Sequence, residues 1–330
     1  MYSHEIFRTR FLRAVVLTFA ACTLGSFQAL AQDAYPNRPI RLVVGFPSGT
    51  STDYWARQVA ERLRQALRQP VVVENKAGAH GQIGAATVKS ANKDGYTLFY
   101  ASLGTAVINQ VLYGKELKYD TLQDFEPVVG VERSTLYLAV RKGLPVENLK
   151  QLVSYAQEKP INYGSGGNGT TSHLVMELLK KSAGFKATHV PYKGAGGAVT
   201  DLIGGQIDVM FDTAPTLLPQ LRGGTIKLIG TTAGKRVASA PEIPTLKEQG
   251  YDVDVNIWSG LFAPKGTPES IISKLNEAVN AELARGGFKE SMAAMGAEPF
   301  GGSAKEFRGW IEKEIPRWAS IVKKSDATVD

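Results

Sequence analysis

The chain has 330 residues, 43% of them hydrophobic and 21% charged, which is enough length and apolar content for two packed cores. Its formal charge of +7 is spread over Lys and Arg singles and pairs, so it carries no basic stripe of the kind that holds nucleic acid. A single cysteine, Cys22, excludes a disulfide framework and a cysteine metal centre.

In chain order, the first expected element is an export signal. Arg8, Arg10 and Arg13 form its basic region, Ala14 to Leu24 its apolar core, and Ala29-Leu30-Ala31 a small-residue cleavage site. Cleavage after Ala31 removes Cys22, takes three Arg and one Glu from the charge of +7 to leave +5, and starts the mature chain at Gln32 in the periplasm. The competing reading makes Cys22 a lipid anchor, but Phe19 is an unusual residue for such a signal.

Beyond it, short apolar runs alternate with helix-period stretches. Strands are expected over Ile40 to Val44, Val71 to Glu74, Thr97 to Ala101, Tyr137 to Arg141, Ala187 to Val190, Ile207 to Phe211 and Ile226 to Gly230. Helices are expected over Thr52 to Arg68, Val146 to Glu158, Thr171 to Lys181, Gly196 to Gly204, Pro268 to Arg285 and Ser303 to Lys323. This alternation predicts an α/β fold with mostly parallel sheets, whose ligands sit beyond the carboxyl ends of strands. Ser134 to Arg141 and Asn256 to Ala263 read as crossings between lobes. They give one lobe of residues 35–133 plus 257–330 and a second of 134–256.

Two segments share one design. Arg41 to Leu63 and Ile161 to Lys181 each run from a strand through a Gly/Ser/Thr loop into a helix start, where unpaired backbone N–H groups favour an anion. The first loop offers Phe46, Pro47, Ser48, Gly49, Thr50, Ser51 and Thr52, with Asp53 placed to cap the helix. A second, Ser102, Leu103, Gly104 and Thr105, lies beside it if the strands are parallel. The third offers Ser165, Gly166, Asn168, Gly169 and Thr170. Tyr192 and Asp212 complete the candidate ligand-binding set.

Gly164 to Gly169 spells G-x-G-x-x-G, but the next strand ends in no acidic residue for a ribose, so no dinucleotide or other cofactor is expected. Asn168-Gly169-Thr170 also spells a glycosylation sequon. His80, His173 and His189 lack metal-ligand spacing, so no metal is expected. Ser165 with His173 or His189 is the nearest thing to a catalytic pair, and nothing else in the chain points to an enzyme.

The ordered set of motifs resembles the Bug-type substrate-binding proteins of tripartite tricarboxylate transporters over essentially the whole mature chain. The likeness rests on Phe46-Pro47 with Thr52-Asp53, Val73-Glu74-Asn75-Lys76, Asp94-Gly95-Tyr96, Tyr163-Gly164-Ser165, Pro191-Tyr192-Lys193-Gly194 and Trp258-Ser259-Gly260-Leu261-Phe262. It implies a periplasmic, monomeric protein of the type II, Venus-flytrap fold with two crossover strands, which closes on a small organic carboxylate and delivers it to membrane transporter subunits. It further implies that loops from both lobes hold the carboxylate, partly through ordered water. Ser48-Gly49-Thr50 stands where the family usually has Pro-Gly-Gly, His80 where it has Gly, and Tyr54-Trp55 where it has an aliphatic pair. The ligand's identity therefore does not follow from the likeness. A sensor module for a membrane kinase would need the same cleft, and a secreted hydrolase would need a nucleophile with a positioned base.

Overall fold

The computed structural model describes residues 35–325, so the expected export signal and Cys22 lie outside the described residues. Its strands form two sheets: a six-stranded sheet in the order Ala297–Gly301, Phe125–Thr135, Asn256–Pro264, Thr97–Ser102, Ile40–Val44, Val71–Asn75, and a five-stranded sheet in the order Thr188–Pro191, Asn162–Ser165, Val209–Asp212, Tyr137–Arg141, Ile226–Thr231.

In the first sheet β1 (Ile40–Val44) runs parallel to both β2 (Val71–Asn75) and β3 (Thr97–Ser102), with Leu42 opposite Val73 and Leu98. Burial of Ile40, Leu42, Val43 and Val44 explains why β1 reads as apolar apart from the exposed Arg41, which pairs with Glu74 on β2. β4 (Phe125–Thr135), β10 (Asn256–Pro264) and β11 (Ala297–Gly301) join it antiparallel. In the second sheet β6 (Asn162–Ser165) is parallel to β7 (Thr188–Pro191) and β8 (Val209–Asp212), whereas β5 (Tyr137–Arg141) is antiparallel to β8 and β9 (Ile226–Thr231). Both sheets are thus mixed where mostly parallel ones were expected. β5 and β10, the first strands after each crossing, run antiparallel to their neighbours.

The two crossings differ in length. Leu136 alone separates β4 of the first sheet from β5 of the second, and the return path leads from Thr231 to Asn256. Thr232 N–H donates to Leu136 O at 2.9 Å, Val255 N–H donates to Thr232 O at 3.1 Å, and the Thr135 and Thr232 hydroxyls meet at 2.8 Å. Both paths are stitched together at one place.

The C-terminal helix Ala304–Ser325 lies over β4 and also against the helix Thr171–Ala183 that follows β6. Its Phe307 fits over β10 because position 260 is glycine, where a Cβ would stand 2.2 Å from the ring. Trp258 packs edge-on to Phe300 and Phe307 and donates from Nε1 to Glu314 at 3.2 Å.

Some helix caps can be read from the sequence, although the Ser51–Leu67 helix is capped by Thr50 and not by the expected Asp53. Asn148 accepts from Gln151 N–H at 2.9 Å and starts the helix Leu149–Glu158. Asn148→Ala is expected to lower the unfolding free energy by about 1 kcal/mol in urea titrations, with an unchanged slope against denaturant.

Candidate functional site

Four helices begin at the same cleft. β1 leads into the helix Ser51–Leu67, β6 into Thr171–Ala183, β7 into Ala195–Ile203 and β8 into Ala214–Arg222. Thr50 caps the first, with its side chain accepting from Asp53 N–H at 3.4 Å. The other three starts have no side-chain cap. A cavity of about 130 Å³ is lined by Ser51 and Thr52, Thr171 and Ser172, Ala195, and Asp212 and Thr213, so all four starts face it. Backbone N–H groups and partial positive dipole ends therefore converge from both sheets, as an anion demands. Phe46 and Leu136 supply apolar walls.

An adjoining cavity of about 420 Å³ is lined by Gly45, Pro47, His80, Gly166, Tyr192 and Lys193, among others. The two sides touch across the cleft. The Ser51 hydroxyl is hydrogen bonded to that of Thr213 and lies 3.1 Å from that of Thr216. A Cβ at Gly194 would lie 3.4 Å from Thr50 and 3.7 Å from Pro47, and one at Gly167 would lie 2.9 Å from His80 Nε2.

Of the residues expected from sequence, Phe46, Pro47, Thr50, Thr52, Ser102, Gly104, Gly166, Gly169, Thr170, Tyr192 and Asp212 line these cavities. Ser48, Gly49, Thr105, Ser165 and Asn168 do not line either. Gly49 N–H is spent on Asp53 Oδ2 at 2.9 Å, and the Ser48 hydroxyl donates to the same oxygen at 3.3 Å. Asp53 also accepts from Arg57 at 2.9 Å and Asn75 at 2.9 Å. Burial pushes its carboxyl up, but the bonds from Arg57, Gly49 and Asn75 outweigh this and hold it below the usual range. Asp53 therefore ties down the first loop and leaves few of that loop's donors for a ligand.

Thr105 donates to His80 O at 3.3 Å and is 1% exposed. Ser165 is wholly buried, and its hydroxyl lies 2.7 Å from His189 Nε2 and 3.0 Å from Gly167 O. The His189 ring stacks on His173 at 4.1 Å between centroids, and His173 Nδ1 accepts Gly169 N–H at 3.0 Å. Burial, helped by the neighbouring His173, pushes His189 down to about 4. So weak a base is poorly matched to activating a hydroxyl at neutral pH. This cluster braces the loop that carries Gly166, Gly169 and Thr170.

Sequence reading did not pick out His80, Asn109, Ser172, Gly194, Ala195 or Thr213 as site residues, although all line the cleft. The signal for Thr213 was present, because Asp212-Thr213 precedes Ala214-Pro215 as a cap precedes proline at a helix start. His80 stood out only as a departure from the family's usual Gly; with a left-handed φ of 52° in the loop after β2, it lines both cavities. Asp212 accepts from Thr213 N–H at 2.6 Å, and burial pushes its carboxyl up to about 6. Among the described residues no group of three or more His, Cys, Asp and Glu stands where it could hold a metal. None of their helices is long and apolar enough to cross a membrane.

Two sheets joined by paired crossings, with helix starts converging between them, define a periplasmic binding protein. The family model "Tripartite tricarboxylate transporter family receptor" matches residues 55–327, and the chain belongs to that family. The BugT protein of Bordetella pertussis is 37% identical over 320 residues, 96% of this chain and 98% of that one. A structure from R. palustris with adipate superposes with a TM-score of 0.86 at 35% identity, covering 89% of this chain and 99% of that one. MatC from Rhodopseudomonas palustris, with bound malate, gives 0.81 at 33% identity, covering 87% and 100%.

Proposed function

We propose that this protein captures a small organic carboxylate in the periplasm and hands it to membrane subunits of a tripartite tricarboxylate transporter, without chemically altering it. The observation that carries this reading is the convergence of four helix starts, three of them uncapped, on one cavity between the sheets. A carboxylate there accepts charge-assisted hydrogen bonds from the starts of the Ser51–Leu67 and Thr171–Ala183 helices at once, which only the closed arrangement allows. Four or five such bonds at roughly 1.5 to 3 kcal/mol each, less the costs of association and closure, leave about −8 kcal/mol, or micromolar affinity.

On this reading residues 35–133 with 257–330 form one lobe and 134–256 the other, and they rotate about the Leu136 and Thr232 stitching. The protein works as a monomer, exported by residues 1–31. The adipate and malate of the related structures support a ligand of the same class. The test is a thermal-shift screen of the purified mature chain against mono-, di- and tricarboxylates, with the corresponding amides as controls. At least one acid is expected to raise Tm and its amide to leave it unchanged. Stabilisation by amides equal to that by acids would refute an anion site.

A further inference from the structure

Behind the cleft lies an inner chamber of about 50 Å³, which reaches inward past the helix starts to Trp55, Glu132, Ser134, Trp258 and Ser259. Ser51, Thr52, Ser102, Thr171, Thr213 and Ile257 line both this chamber and the cleft cavity, so a ligand held at the helix starts has its far end at the chamber's entrance. Trp55 sits one turn into the Ser51–Leu67 helix, about 6 Å along the axis from Ser51, within reach of a short-chain acid.

The chamber's polar groups are incompletely used. Trp55 is 2% exposed and Ser134 7% exposed, yet neither Trp55 Nε1 nor Ser134 Oγ has a hydrogen-bond partner. Buried donors are almost always paired, and these two lie on the wall of a space roughly three water-sized groups in volume. The indole N–H only donates, so its partner must present an acceptor, whereas the Ser134 hydroxyl serves either way. Glu132 already accepts from Tyr100 OH at 2.7 Å and Ser259 Oγ at 2.8 Å. A second carboxylate beside that buried carboxyl group would itself be buried and would meet like charge whenever Glu132 is ionised, whereas an uncharged oxygen escapes both costs.

We infer that the inner chamber is a second recognition pocket, which takes an uncharged hydroxyl or carbonyl oxygen from the bound acid, so that the protein selects hydroxy- or oxo-carboxylic acids. This rests on the carboxylate reading above and adds the substrate class to it. Trp55 and Ser134 are the specificity-determining residues. An acid with a bare carbon chain leaves both donors unpaired, and rejection of that kind is the strong form of discrimination.

Calorimetry with acids that differ by one oxygen tests it: malate against succinate, and 2-oxoglutarate against glutarate, on the wild-type protein and on Trp55→Phe and Ser134→Ala. The oxygen-bearing member of at least one pair is expected to bind about tenfold or more tightly. Each substitution brings that ratio close to one, the larger loss falling on the oxygen-bearing acid. Ser134→Ala removes a single atom, so it decides the matter even if Trp55→Phe perturbs the fold. Equal affinity within both pairs, or a preference that survives both substitutions, overturns the inference while leaving the carboxylate reading intact, the chamber then holding water only. If no carboxylate binds in calorimetry or in the thermal-shift screen, the carboxylate reading has failed and this inference falls with it.

Discussion

Gly167→Val is expected to weaken carboxylate binding by about a hundredfold or more, while the protein still unfolds in one cooperative step. Gly167 has a φ of +130°, a conformation that side chains with a Cβ rarely adopt. A Cβ there would stand 2.9 Å from His80 Nε2 and 3.1 Å from Tyr192 O. His80 belongs to the loop after β2 of the first sheet, and Gly167 to the loop after β6 of the second. The added side chain therefore acts as a wedge between the two sides. In an open arrangement the contact with His80 disappears, so the cost falls on the closed state and the ligand that stabilises it. Local strain at position 167 would also weaken binding, and a second substitution separates the two. Adding His80→Gly to Gly167→Val removes the opposing ring and should recover a large part of the lost affinity if the wedge is the cause. Titration calorimetry on wild type, single and double variants reads this directly. Affinity of the single variant within about threefold of wild type would mean that closure does not bring these loops together.

The second large effect concerns Glu132, which is 2% exposed in the middle of β4. Burial pushes its carboxyl up from 4.5 to about 7, and the bonds from Tyr100 and Ser259 only partly oppose this. Between those two values the folded protein keeps a proton that the unfolded chain has released. Stability is therefore greatest below pH 4.5 as far as this group is concerned, and it falls by roughly 3 kcal/mol as pH rises through 7. Glu132→Gln cannot ionise, and the Tyr100 and Ser259 hydroxyls can turn to meet an amide. The variant should gain on wild type as pH rises and exceed it in unfolding free energy at pH 8. Urea titrations at pH 5 and pH 8 check this. A variant-minus-wild-type difference that is the same at both pH values would contradict the assignment.

The elements legible in the sequence were those whose surroundings are uniform. β1 and β5 were bounded correctly because each is a mostly apolar, mostly buried run, interrupted only by Arg41 in β1 and ended by Arg141 in β5. The Thr171–Ala183 helix was found with its start correct because Gly169-Thr170 punctuates it. β4 was read only at its end, as the beginning of a crossing. Its eleven residues include Pro127, Gly130, Glu126, Glu132 and Arg133, which break the apolar pattern a buried strand usually shows. Glu132 is tolerated there through Tyr100 and Ser259, neither of them near it in sequence.

The same limit applies to the site. Loops that follow a strand and open a helix announce themselves through Gly, Ser and Thr, so Thr52, Ser102, Gly166 and Thr170 could be named in advance. Whether a donor faces a ligand or its own chain depends on distant partners. Gly49 is consumed by Asp53, which Asn75 and Arg57 hold in place, and Ser165 is consumed by His189, 24 residues away. Trp258 lies in the return crossing, where a fluorescent reporter of hinge motion would be sought, but it is packed against Phe300, Phe307 and Glu314 near the C-terminus. Trp55, at the wall of the inner chamber, is the better reporter.

The central claim is that one carboxylate is gripped from both sheets by helix starts. It is tested most directly by a crystal structure of the mature protein grown with the acid that stabilises it most in the thermal-shift screen. The account predicts a carboxylate whose oxygens lie within hydrogen-bond distance, directly or through one water, of backbone N–H groups at the start of Thr171–Ala183 and of donors at Ser51, Thr52 or Ser102. An acid bound to one sheet alone, or outside the cavity lined by Thr171, Ser172 and Thr213, would contradict it.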